Sequence, residues 1–214
     1  MADYFTVEKE SEFTLTEKKS RFIGYIKPCE SETQAVEFIN LIKKKHSDAK
    51  HNVYAYVLRE NNKQRYSDDG EPQGTAGLPV LEVLTKRGIT DVCVVVTRYF
   101  GGILLGTGGL TRAYSAAGKG AVENSGVKLM TECNRVELSC DYSFYNTLQS
   151  IFKDFTCKAE KVEFLEKVEI LLFIKSCEYK KFETEILDKF SGQILLKVVG
   201  EQYFGFEIKN IKGF

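Results

Sequence analysis

The chain has 214 residues, of which 43% are hydrophobic and 28% charged, with only three prolines. That balance supports real cores and excludes an intrinsically disordered chain, and the length suits one large domain or two smaller ones. Thirty basic residues oppose thirty acidic ones, and the parts before and after Glu132 carry +1 and −1, so bulk charge excludes a polycationic nucleic-acid binder.

Any RNA contact must therefore come from a local patch, and reading of DNA sequence is not expected. Six cysteines are present with no C-x-x-C pair, and there are two histidines, His46 and His51. A structural zinc site is not expected; most of the cysteines sit in apolar runs as buried, reduced thiols, which fits a reducing compartment. Residues 1–10 are charged and lack the apolar stretch of a signal peptide, and no run approaches the roughly 18 apolar residues of a membrane span. The expected location is the cytoplasm, away from membranes.

In chain order, residues 4–7, 13–16 and 21–26 alternate and are rich in β-branched and aromatic types, which predicts strands. Ala35, Phe38, Ile39 and Ile42 recur at helical spacing, predicting a helix over 32–45 with Ser31 as its cap. Residues 52–58 read as a strand, with Arg65 and Tyr66 pairing beside it across a polar turn. A glycine-rich loop, 68–77, precedes a helix running to Lys86 with Pro79 in its first turn. Residues 91–97 form an almost unbroken apolar run, the pattern of a central strand covered on both faces. A second glycine-rich loop, 101–109, leads to a helix over about 110–124, ended by Gly126.

A domain boundary is placed at 132–134, giving domains 1–132 and 133–214. Beyond it come a strand over 136–140, a helix marked by Phe144, Leu148, Ile151 and Phe155, and strands at 158–164 and 168–174. A helix marked by Phe182, Ile186 and Phe190 follows, then strands at 194–199 and 204–208. The order β-α-β-β-α-β fits a ferredoxin-like sandwich, so the fold class is α+β.

Three segments read as a site, since loops this rich in glycine and charge rarely serve packing alone. In the first, Asp68, Asp69 and Glu71 place three carboxylates within four residues. They could hold Mg²⁺ through oxygen, supply a general base, meet a partner, or simply bond nearby backbone amides in a tight turn. The second runs from Thr97 through Arg98, Tyr99, Gly101, Gly102, Gly106, Gly108 and Gly109 to Arg112. A strand, a glycine loop and a helix start suit an anion, and both arginines could add bidentate contacts. Equally, the glycines could serve positive φ and close packing. The loop lacks the lysine of a phosphate-binding P-loop and is not a clean dinucleotide fingerprint. The third segment, Lys18, Lys19 and Arg21 before an apolar strand, could join the arginines in a basic patch. His51 is the best candidate acid or base, because its ordinary pKa lies near neutrality. No nucleophile elbow surrounds any serine.

Taken together, Lys19-Ser-Arg-Phe-Ile-Gly24, His51-Asn-Val-Tyr-Ala-Tyr56, Ser67-Asp-Asp-Gly-Glu-Pro-Gln-Gly-Thr-Ala-Gly77, Val96-Thr-Arg-Tyr-Phe-Gly-Gly102 and Leu105-Gly-Thr-Gly-Gly-Leu-Thr-Arg-Ala-Tyr114 resemble the signature of the Impact family, which includes the bacterial YigZ proteins. The resemblance spans about 18–125. It implies a first domain like the second domain of ribosomal small-subunit protein five and a second like the last domain of elongation factor G. It also implies translation control through a ribosome, RNA or translation-associated protein partner, with no cofactor and no established reaction. On that reading Lys19, Arg21, Arg98, Tyr99, Gly101, Gly102, Gly106, Gly108, Gly109 and Arg112 are the binding set. The competing reading is an enzyme of hydrolase or phosphate-ester chemistry, metal-assisted, using Asp68, Asp69, Glu71 and His51.

Overall fold

The computed structural model describes residues 3–208. It is a mixed α+β protein with two sheets and five helices, and by contacts it divides into one unit over Tyr4–Leu129 and another over Met130–Phe206.

In the first unit, β1 (Tyr4–Val7) precedes β2 (Ser11–Glu17) and β3 (Ser20–Pro28). Helix α1 (Glu32–Lys45) leads to β4 (His51–Leu58) and β5 (Lys63–Ser67). Helix α2 (Gly77–Thr85), β6 (Val92–Tyr99) and α3 (Gly106–Ser125) follow. The sheet order is β2-β3-β6-β4-β5, and every pairing in it is antiparallel. The apolar run places β6 at the centre, as its composition predicts. Val92, Val94 and Val96 pack with α2 and α3 on one face, while Cys93 and Val95 pack with Phe38, Ile39 and Ile42 of α1 on the other. Alternation of side chains along a strand makes this double burial possible only where both faces carry helices.

Helix α1 has the predicted bounds, and the Ser31 hydroxyl accepts the Gln34 amide at 3.4 Å. Helix α3 starts four residues before the predicted point, so Gly106, Gly108 and Gly109 form its first turn and not loop. Strand β6 likewise runs past Thr97 to include Arg98 and Tyr99. The strand extends because pairing holds Arg98 opposite both Phe22 and His51, and pairing outweighs local propensity.

The second unit follows the element order expected from its sequence: β7 (Val127–Cys140), α4 (Tyr142–Phe152), β8 (Cys157–Phe164), β9 (Val168–Lys175), α5 (Ser176–Lys189) and β10 (Leu195–Glu207). Its strands lie in the order β7-β9-β8, with β10 also beside β7. Leu138, Ile170 and Leu172 form its core with Leu148, Ile151, Phe182 and Ile186 of the helices. Residues 132–134, read as a boundary, lie inside β7, which runs unbroken through them. The two closing strands expected at 194–199 and 204–208 are one strand, β10. Four of the six cysteines are buried, Cys157 is half-buried and Cys177 is exposed. Burial pushes the Cys29 thiol up to about 11. No helix among the described residues is long and apolar enough to cross a membrane.

Candidate functional site

The sheet register brings the sequence-predicted segments to one end of the first unit. Across β3, β6 and β4, Phe22, Arg98 and His51 stand opposite one another, so their side chains share the face that carries α2 and α3. Ser67, at the end of β5, pairs with Tyr54 of β4 and delivers the 68–77 loop to the same end.

That loop turns its acids inward. Asp68 accepts the amides of Gly74, Ala76 and Gly77 at 2.8, 3.1 and 2.8 Å, capping the start of α2. Asp69 accepts from Lys43 Nζ and from the Asn52 amide, each at 2.7 Å. Glu71 is 8% exposed, and its Oε1 accepts from Arg98 Nη1 at 2.7 Å and from the Tyr114 hydroxyl at 2.8 Å. The three carboxylates therefore diverge toward separate donors. Among the described residues no group of three or more His, Cys, Asp or Glu gathers around a possible cation position. The tight-turn alternative is the one the geometry favours.

Arg98 corrects an expectation. Its 6% exposure and its ion pair with Glu71 remove it from any external anion, and its guanidinium also lies 5.5 Å from the Phe22 ring centre and 5.4 Å from that of Phe100. A charge this deep needs a partner, and Glu71 provides it. Tyr114 completes the cluster from α3, packing edge-on to Phe22 at 5.1 Å. Burial, then the Glu71 carboxylate, drive its hydroxyl well above the ordinary tyrosine range.

His51 borders this cluster. Its Nδ1 lies 2.9 Å from the Asp69 carbonyl oxygen, which can only accept, so Nδ1 carries the hydrogen. Nε2 then faces Glu71 Oε1 at 3.9 Å. At that separation the two atoms do not share a hydrogen bond.

The opposite face holds the second histidine, His46. Tyr99 donates to Asp48 at 2.9 Å, so its oxygen accepts from His46 Nδ1 at 2.9 Å, and His46 Nε2 accepts from Tyr25 at 2.7 Å. Burial, with Lys45 adding to it, holds the His46 imidazole below its ordinary value. Arg21 lies over the Tyr99 ring at 4.6 Å. Partners 21 and 53 residues away leave no local signal for such a chain.

The second glycine loop turns outward. Gly101 sits against the Lys19 backbone, where an added Cβ would overlap the Lys19 carbonyl, and its amide donates to Ser20 Oγ at 3.1 Å. Gly102 and Gly106 hold positive φ of 82° and 72°. So anchored, the loop keeps Phe100 and Ile103 half-exposed and Leu104 82% exposed. Leaving a leucine out forgoes about 1.5–3 kcal/mol of burial. Around this tip lie exposed Lys18, Lys19, Arg21 and Arg112. Lys18, Lys19 and Arg112 form no ion pair with any described residue. The first turn of α3 carries no acid and no side-chain cap. Phe100, Ile103, Leu104 and Tyr114 were missed as site residues; three bulky side chains inside a glycine loop were the available signal.

Residues 18–122 match the Impact N-terminal domain, and residues 138–193 match a domain of unknown function, DUF1949. The chain is 37% identical over 210 residues to the IMPACT family member YvyE of Bacillus subtilis, covering 98% of this chain and 97% of that protein. It is 30% identical over 187 residues to YigZ of Escherichia coli, covering 86% and 92%. A crystal structure of a hypothetical protein aligns with a TM-score of 0.58 at 28% identity, covering 94% of this chain and 98% of that one. The anchored glycine loop and the inward acidic loop both lie within the residues that match the Impact N-terminal domain, and the chain belongs to the IMPACT family.

Proposed function

We propose that this chain is a cytoplasmic binding protein of the translation machinery, contacting a ribosome, RNA or translation-associated protein through the glycine-loop end of its first unit. The observation that carries the reading is the pairing of an exposed apolar tip, Phe100, Ile103 and Leu104, with Lys18, Lys19 and Arg112, whose charges have no ion-pair partner among the described residues. Unpaired cations beside anchored apolar groups favour an external partner over internal packing. The family resemblance supplies the translation setting, with domains 1–132 and 133–214 read as likenesses of the second domain of ribosomal small-subunit protein five and the last domain of elongation factor G. The binding set within this reading is Lys18, Lys19, Arg21, Tyr99 and Arg112 with Gly101, Gly102 and Gly106; Arg98 acts from inside, holding Glu71.

Cosedimentation with purified ribosomes across a salt series tests it. Wild-type protein should pellet at low salt with a shallow salt dependence, since few cations take part. Lys18→Glu with Arg112→Glu should reduce pelleting at least tenfold. Pelleting that is absent at low salt, or indifferent to both changes, overturns the reading.

A further inference from the structure

Beside the tip lies a groove of about 250 Å³ between the β2–β3 turn and α3, walled by Lys18 and Arg112 and floored by Leu15, Leu105, Ala113 and Ala116. Glu17 contributes the only carboxylate to its lining. The volume suits one large apolar side chain, and the two walls are cationic.

The turn that supplies Lys18 is built at a conformational cost. Lys18 and Lys19 are the two residues between β2 and β3, with φ of 44° and 66°. Two-residue hairpin loops of this left-handed kind ordinarily take Asn-Gly or Asp-Gly. Two lysines there oppose the local backbone preference, and strain of this sort persists where the side chains serve a purpose.

The aromatic groups at this end are poorly placed to stack on bases. The Tyr99 ring is covered by Arg21 and its hydroxyl is engaged by His46 and Asp48. Phe100 has the Arg98 guanidinium near its ring. Leu104, the most exposed group at this end at 82%, is aliphatic, as is its neighbour Ile103, and neither offers a nucleic acid stacking or hydrogen bonds. Aliphatic prongs, an apolar-floored groove and cationic walls complement a protein segment instead.

We propose that the first unit binds an acidic peptide segment of a partner protein, seating one large apolar side chain in this groove while Lys18 and Arg112 take the carboxylates that flank it. This rests on the binding reading above and names the class of partner. Leu104 and Ile103 then close over the segment from the glycine loop. The recognition is of a side chain in a pocket with charge pairs at its rim, so the groove supplies affinity and the cations supply selectivity.

Selection of a random 16-residue peptide phage library on the whole protein tests the proposal. The expected winners carry Asp or Glu on both sides of a Leu, Ile, Met or Phe. Their affinity should fall at least tenfold with Arg112→Glu, and similarly with Ala116→Phe, which fills the groove from an exposed helix position. Circular dichroism and the melting temperature confirm that each variant is folded. Winners without acids, winners indifferent to Ala116→Phe, no enrichment at all, or displacement of a winner by a 16-nucleotide RNA at lower concentration than by free peptide would each overturn it. If ribosome pelleting still depends on Lys18 and Arg112 in that event, only the partner class fails; if pelleting is also indifferent to them, the binding reading fails with it.

Discussion

The two glycine-rich loops of the first unit look alike in sequence and do opposite work in the structure. The loop at 68–77 directs every one of its carboxylates into the protein: Asp68 to three amides, Asp69 to Lys43 and Asn52, and Glu71 to Arg98 and Tyr114. The loop after β6 is fastened through Gly101 to the β2–β3 turn and holds apolar side chains in solvent beside lysines that have no ion-pair partner among the described residues. Density of charge and glycine thus marks backbone engineering in both, and only the direction of the side chains separates a brace from a contact surface.

The largest effect is expected from removing the brace. Glu71→Ala strands the Arg98 charge inside the protein, and loss of one partner of a buried pair costs about 3–5 kcal/mol. Urea unfolding should register a loss of that order, while Glu71→Ala combined with Arg98→Leu should recover much of it. A loss below about 1 kcal/mol in the single variant would mean the pair is not the brace described. Asp68→Ala comes next, removing the acceptor from the start of α2, at about 1–2 kcal/mol by the same measurement.

The hairpin turn offers a change of opposite sign. Lys18→Asn with Lys19→Gly relaxes two left-handed residues, and unfolding should show a gain of about 1–2 kcal/mol. Binding should weaken in the same protein. A variant that gains stability and keeps full binding would show that the lysines serve only the turn.

The smallest expected effect separates the sheet's two faces. Burial lowers the His46 pKa relative to its unfolded value near 6.5. A histidine held neutral stabilises the fold fully above that value and loses the contribution as pH falls through its lower folded value, because the unfolded chain binds the proton more readily. Stability should therefore drop below about pH 6.5, and His46→Gln should flatten the profile. An unchanged profile would detach the Tyr25–His46–Tyr99 chain from stability.

Much of the fold was legible because period and capping are local. Ala35, Phe38, Ile39 and Ile42 located α1, and the valine run located the central strand. The site was legible only as a set of segments. What Arg98 does depends on its register opposite His51 and on a glutamate 27 residues away in sequence, and no local pattern encodes that pairing. The exposure of Leu104 was hidden for a similar reason: a leucine in sequence is expected inside, and only the seat of Gly101 on Lys19 explains why it stays out. By contacts the chain divides between Leu129 and Met130, inside β7 and a few residues before the boundary read at 132–134; a strand that runs through both points gives no local signal for the exact place.

The account rests on the outward loop being a contact surface whose removal leaves the fold intact. Leu104→Asp tests this directly by ribosome cosedimentation at low salt, with the variant's unfolding curve as its control. The account predicts a stability within about 0.5 kcal/mol of wild type, as for an exposed position away from packing, together with at least tenfold weaker pelleting. Wild-type pelleting by a folded Leu104→Asp protein would contradict it.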